Sequence, residues 1–239
     1  MKGIAKKVSK NHQAVISGIR LQSLVDPRTE KTMAYEVLTK FENIIPEEFF
    51  ENTSTKFSTS LFHWQINQLQ DILQSGTELW FNLPASALMN TDEIERIMST
   101  PFISQLVVEI QDPENLLYID ENGINNIRQN ILSLQKEGAS VWLDDLKNEI
   151  FDEIKEISLP YDGVKIDKKE ISTNPNFLYF IQKVNDIFNK ILVEGIETPM
   201  HKDILLQSDV NLAQGYLWDE KLIPLKDVHP VSNIIYLSN

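Results

Sequence analysis

Seven polar residues, Glu36, Asn82, Glu109, Asp144, Lys165, Glu194 and Gln214, each close a short apolar run. The runs follow one another at about 30 residues per step, the length of one strand-and-helix unit. If those ends converge, carboxylates and amides supply an all-oxygen donor set around a single ammonium. Five carboxylates, counting Asp145 next to Asp144, would repel one another unless cations or Lys165 offset them. Oxygen donors without histidine or cysteine favour Mg²⁺ or Mn²⁺ over Zn²⁺. Such cations act as Lewis acids and can activate a bound water. The stretch "SVWLDDLKNEI", Ser140 to Ile150, poses the question most sharply, because its adjacent acids read either as a metal site or as the polar end of a strand.

The elements that must position these groups are short and regular. The runs "MAYEVLTKF", "ELWFNLP", "QLVVEIQD", "SVWLDDL", "YDGVKID", "ILVEGIE" and "NLAQGYLW" are rich in β-branched and aromatic residues and read as buried strands. Between them, "FHWQINQLQDILQS", "TDEIERIMS", "INNIRQNILSLQKEG" and "NPNFLYFIQKVNDIFNK" carry helical spacing. Alternation of this kind predicts a parallel sheet. An earlier run, "AVISGIRLQSLVD", joins the Glu36 strand through the tight "DPRTEKT" turn, too short for a crossover helix, so these two strands are expected to be antiparallel. The predicted fold class is α/β, a TIM-barrel-like (β/α)8 variant with its first strand antiparallel. Polar groups at the strand C-termini of such a barrel meet at one mouth. Trp80 and Trp142 alternate with apolar neighbours and read as barrel packing.

Bulk properties set limits. The 239 residues include no cysteine, which excludes disulfides and thiolate chemistry and suits a reducing, cytoplasmic location. No apolar run approaches a membrane span. A net charge of −13 argues against broad nucleic-acid binding and requires local positive charge for any anionic substrate, with bound cations, Lys40 and Lys147 as sources. The four histidines lack ligand spacing, and no P-loop or nucleophile elbow is present. Residues 1–12 read as a flexible basic N-terminus and 13–239 as one barrel domain.

These motifs together resemble the EAL domain family, bacterial phosphodiesterases that hydrolyse cyclic di-GMP. "LQSLVDPRTEKTMAYEVLTKF" resembles the opening strand pair, with Glu36-Val37-Leu38 for the name-giving triplet. "FNLPASAL", "VVEIQD", "WLDDL", "YDGVKID", "VEGIET" and "QGYLW" follow in the family's order. The resemblance implies that Glu36, Asn82, Glu109, Asp144 and Asp145 hold two divalent cations, Mg²⁺ or Mn²⁺. It further implies that Lys165, Glu194 and Gln214 orient the attacking water, and that Gln22, Lys40 and Glu197 contact the substrate. Its implied partners are cyclic di-GMP, a second copy of the chain and a regulatory protein.

Three departures stand out. Where the family has the glycine-rich "DFGTGYSSL", this chain has "DLKNEIFDE". The glutamate that by resemblance braces this loop is Asp112, and the arginine after the name-giving motif is Lys40. Loss of the glycines predicts an altered loop path, and lysine lacks the bidentate fork of arginine. Two readings follow: a metal-dependent phosphodiesterase producing linear pGpG, or a degenerate module that binds the nucleotide or a protein.

Overall fold

The computed structural model describes residues 15–50 and 53–230. The basic N-terminal stretch expected to be flexible lies outside them, as do residues 231–239. Eight strands close into a barrel: β1 (Val15–Val25), β2 (Thr32–Glu42), β3 (Leu79–Pro84), β4 (Leu106–Gln111), β5 (Ser140–Leu146), β6 (Gly163–Ile166), β7 (Ile191–Val193) and β8 (Leu212–Ala213). Strands β2 to β8 are neighbours in sequence order, and β1 joins β8 back to β2. As the short turn requires, β1 is antiparallel to β2, whereas the pairings from β2 through β8 are parallel.

Two differences from the sequence reading lie at the seam. Strand β8 is only two residues long, because the backbone beyond Gln214 turns against Ile196; a Cβ on Gly215 would lie 2.2 Å from the Ile196 carbonyl oxygen. A further strand, β9 (Glu220–Pro230), pairs with β1 above β8. Its prolines, Pro224 and Pro230, disguise it in the sequence, and such residues are tolerated at a sheet edge where one side of the strand needs no partner.

The strand alternation sorts side chains into two cores. Outward residues such as Phe81, Val108, Val141 and Ile166 pack with Ile127, Ile131 and Leu134 of the Glu121–Lys136 helix and with Phe180 and Ile181 of the Phe177–Asn185 helix. The second of these helices falls within a stretch of predicted helical spacing, and the first begins three residues before its predicted stretch, at the Asp120 cap. Side-chain caps start several of the helices: Asn90 accepts from the amides of Asp92 and Glu93, and Asp120 from that of Gly123. Inward, Leu24, Ala34, Trp80, Val107, Trp142 and Leu192 form a separate apolar plug across the barrel. The rings of Trp80 and Trp142 meet at a centroid distance of 4.4 Å, as the packing role read from the sequence requires.

On β6 the plug position is Gly163, and the ring of Trp142 fills the space its side chain would take. A Cβ there would lie 2.7 Å from three ring carbons. We expect Gly163→Ala to destabilise the fold by about 1–3 kcal/mol through overpacking, read as a lowered denaturant midpoint. An unchanged midpoint would show that the ring does not sit against β6.

Candidate functional site

Strand periodicity converts the plug into the floor of a polar site. Two residues beyond Ala34, Trp80, Val107, Trp142, Gly163, Leu192 and Leu212 stand Glu36, Asn82, Glu109, Asp144, Lys165, Glu194 and Gln214. Side chains two apart share a face, so the plug sets the inward direction of every member. On antiparallel β1 the count runs backwards: Leu24 pairs with Ala34, and Gln22 with Glu36. All seven strand-end residues therefore meet, and Gln22 joins them by donation from Gln214 Nε2 to its Oε1 at 2.9 Å.

Lys165 lies at the centre, with no exposed side-chain surface. Its Nζ is 2.7 Å from Glu109, 2.8 Å from Glu194, 3.0 Å from Asp144 and 3.5 Å from Glu36. Glu36 also accepts from Asn82 Nδ2 at 2.8 Å and from Gln214 Nε2.

The acid pair needs a special backbone. Leu143 pairs with Val164 and Leu146 with Ile166, so β5 carries one residue more than β6 across this interval. Such a bulge re-aims a side chain. Leu143 and Leu146 both pack outward in the core, and Asp145 takes up the extra residue at φ 51°. Asp is among the few non-glycine residues that tolerate this left-handed region. Consecutive acids thus serve the same mouth, and single carboxylate oxygens of Asp144, Asp145 and Glu194 lie within 4.8 Å of one another.

One ammonium cannot neutralise this group. Burial pushes Glu109 and Glu194 well above the usual carboxylate range against the pull of Lys165, and the neighbouring acids push them further. Burial likewise raises Asp144 to about 7, and raises Asp145. Glu36 is the exception: burial pushes it up, but Lys165, Gln214 and Asn82 outweigh that and hold it low. Stability contributed by the raised groups is present in acid and lost as pH rises through their folded pKa values, whereas the Glu36 contribution is lost on acidification. We expect the metal-free protein to lose stability between about pH 5 and pH 8 and to regain it with Mn²⁺, by linkage of binding to folding. Thermal unfolding at several pH values checks this; a flat profile unaffected by Mn²⁺ would contradict it.

The donor set fits divalent cations. Among the described residues, Asn82 Oδ1, Glu109 Oε2 and Gln214 Oε1 are buried without a hydrogen-bond donor, and Glu109 Oε1 and Asp144 Oδ1 have only the Lys165 ammonium. Buried oxygens left this way call for a further positive partner. An all-oxygen set suits a hard cation.

The remaining expected residues lie further out. Lys40 is exposed on β2, opposite Gly18 of β1. Glu197 is exposed in the turn before the Pro199–Leu205 helix, where its backbone amide faces His201 Nδ1 at 3.4 Å. Lys147 is ion-paired to Glu114 at 2.5 Å, which offsets the charge expected to attract substrate. Asp112, also in the left-handed region at φ 53°, makes no side-chain hydrogen bond to the β5 loop among the described residues. The ties to that loop come from residues the sequence reading did not identify: Glu114 on Lys147, and Glu170, whose Oε1 accepts from the Asn148 amide at 3.0 Å. Neither has a local sequence signal, because each partner is distant in the chain.

The family model for the EAL domain matches residues 17–221. No curated protein matches the sequence. Among solved structures, an EAL domain protein from Listeria monocytogenes EGD-e is similar at 20% identity and TM-score 0.67, over 94% of this chain and 95% of that one. Klebsiella pneumoniae BlrP1, solved with manganese and cyclic di-GMP, is similar at 17% identity and TM-score 0.68, over 87% of this chain and 59% of that one. The PaMucR phosphodiesterase, solved with cyclic di-GMP, is similar at 16% identity and TM-score 0.67, over 90% of this chain and 98% of that one. No helix among the described residues is long and apolar enough to cross a membrane.

Proposed function

The chain belongs to the EAL domain family, and on that premise we propose that it hydrolyses one phosphodiester of cyclic di-GMP to give linear pGpG. The observation that carries this reading is the buried oxygen cluster around Lys165, with several oxygens lacking donors at the mouth of the barrel. Similar folds solved with this nucleotide, one of them also with manganese, support the substrate and cation class.

In this proposal Glu36, Asn82, Glu109 and Asp144 would hold one divalent cation, and Asp144 with Asp145 the second. When bound, the pair supplies Lewis-acid polarisation of the phosphodiester and lowers the pKa of a water. Glu194 and Gln214 orient the water, and Lys165 fixes the directions of the carboxylates it touches and supplies positive charge near the phosphorus. The water gives up a proton to solvent and its oxygen bonds to phosphorus as the P–O3′ bond breaks, and the departing oxygen takes up a proton from solvent. Gln22, Lys40 and Glu197 contact the nucleotide from the rim, with Lys40 providing a cation in a strongly acidic protein. The apolar plug closes the floor, so water and substrate share the open end.

Incubation of the purified protein with cyclic di-GMP and Mn²⁺ or Mg²⁺, followed by chromatography, tests the reading. We expect linear pGpG. Unchanged nucleotide with either metal, while binding persists, would make the protein a receptor.

A further inference from the structure

We propose that Glu170 is a positioning residue that fixes the β5 loop so that Asp145 faces the Asp144 and Glu194 carboxylates. The proposal rests on the hydrolytic reading above. A left-handed backbone at a non-glycine residue persists where its surroundings over-determine it, and the surroundings here are specific. Past Asp145, no residue up to Ile157 has a positive φ, so the loop needs no glycine, and the altered path expected from their loss reduces to a question of what anchors it.

Two carboxylates from the flanking loops supply the anchors. On the β4 side, Glu114 holds Lys147. On the β6 side, Glu170 is buried; one oxygen accepts from the Asn148 amide at 3.0 Å and the other from Asn174 Nδ2 at 2.7 Å. The Asp167 amide, in the same β6 loop, donates to the Leu146 carbonyl at 3.1 Å. The segment Leu146–Asn148 is therefore held from both sides immediately after the bulge. The Lys147 contact is partly exposed, with 34% and 39% of the two side chains accessible, and exposed pairs are weak. Buried Glu170, with each oxygen hydrogen-bonded, is the stronger anchor.

Mn²⁺ binding to metal-stripped protein, followed by electron paramagnetic resonance, tests this. Glu170→Ala is expected to weaken the weaker of two Mn²⁺ sites by about 10- to 100-fold, the range for residues that orient ligands. The Mn²⁺ concentration for half-maximal hydrolysis should rise in parallel, with KM for cyclic di-GMP unchanged. Glu170→Gln should retain most of the Mn²⁺ affinity that Glu170→Ala loses, since its amide oxygen can still accept from the Asn148 amide, whereas the Asn174 contact is given up because Asn174 Oδ1 is held by the Asn176 amide at 2.9 Å. Asn148→Pro provides a second route that leaves Glu170 intact. It removes the amide donor at a helix start, and Lys147, at φ −107° and ψ 149°, already has the backbone that precedes proline. It should reproduce the Mn²⁺ loss of Glu170→Ala. Parental Mn²⁺ affinity in both Glu170→Ala and Asn148→Pro would overturn the proposal, as would equal loss in Glu170→Gln and Glu170→Ala. Failure of the parent itself to bind Mn²⁺ would overturn the hydrolytic reading, and this proposal with it.

Discussion

Replacing Lys165 with methionine is expected to abolish hydrolysis and to lower folding stability by about 3–5 kcal/mol at neutral pH, the cost of leaving a buried charge without its partner. The side chains have similar length, so the change removes charge more than volume. Four carboxylates lie within 3.5 Å of the Lys165 ammonium, and without it they repel at full strength in a poorly solvated space. Their folded pKa values then rise further, so the lost stability should return as pH falls and protons replace the missing ammonium. Denaturant unfolding of the parent and Lys165→Met from about pH 5 to pH 8 reads both effects. Equal stability at every pH would show that the ammonium is not the internal counter-ion of the cluster.

Asp145→Asn is expected to reduce hydrolysis by more than about 100-fold, beyond the range for residues that only orient ligands, while the barrel stays folded. The change is nearly isosteric and keeps a residue type that tolerates the left-handed backbone, but it removes one anionic donor. Turnover of cyclic di-GMP, with circular dichroism as the control, measures it. Parental turnover with unaltered circular dichroism would remove Asp145 from the metal-holding group.

The barrel was legible because each strand writes its depth into the sequence: an apolar plug residue, then a polar residue two positions on. The antiparallel β1 was legible from the short turn after Val25. Strand β9 was not, because Pro224 and Pro230 read as breakers and only the edge location shows why they are tolerated. Within the site, the seven strand-end groups could be named from their order, but the bulge that turns both Asp144 and Asp145 to one side could not, since two adjacent acids on a regular strand would face opposite ways. The loop that follows was legible only in part. The missing glycines predict an altered path but say nothing of what holds it. In the structure no loop residue past Asp145 needs glycine, and a "FGTG" graft over Leu146–Glu149 would place phenylalanine where Leu146 is fully buried and delete the Lys147 partner of Glu114. The anchoring by Glu114 and Glu170 depends on contacts across 33 and 22 residues, which no local pattern records.

The polar layer above the aromatic plug is expected to act as a two-cation site. Anomalous diffraction from crystals of the parent protein grown with Mn²⁺ and cyclic di-GMP tests it most directly. The predicted result is two manganese peaks per chain, one among Glu36, Asn82, Glu109 and Asp144 and the other at Asp144 and Asp145. Nucleotide bound at the mouth with no manganese peak among these residues would contradict it.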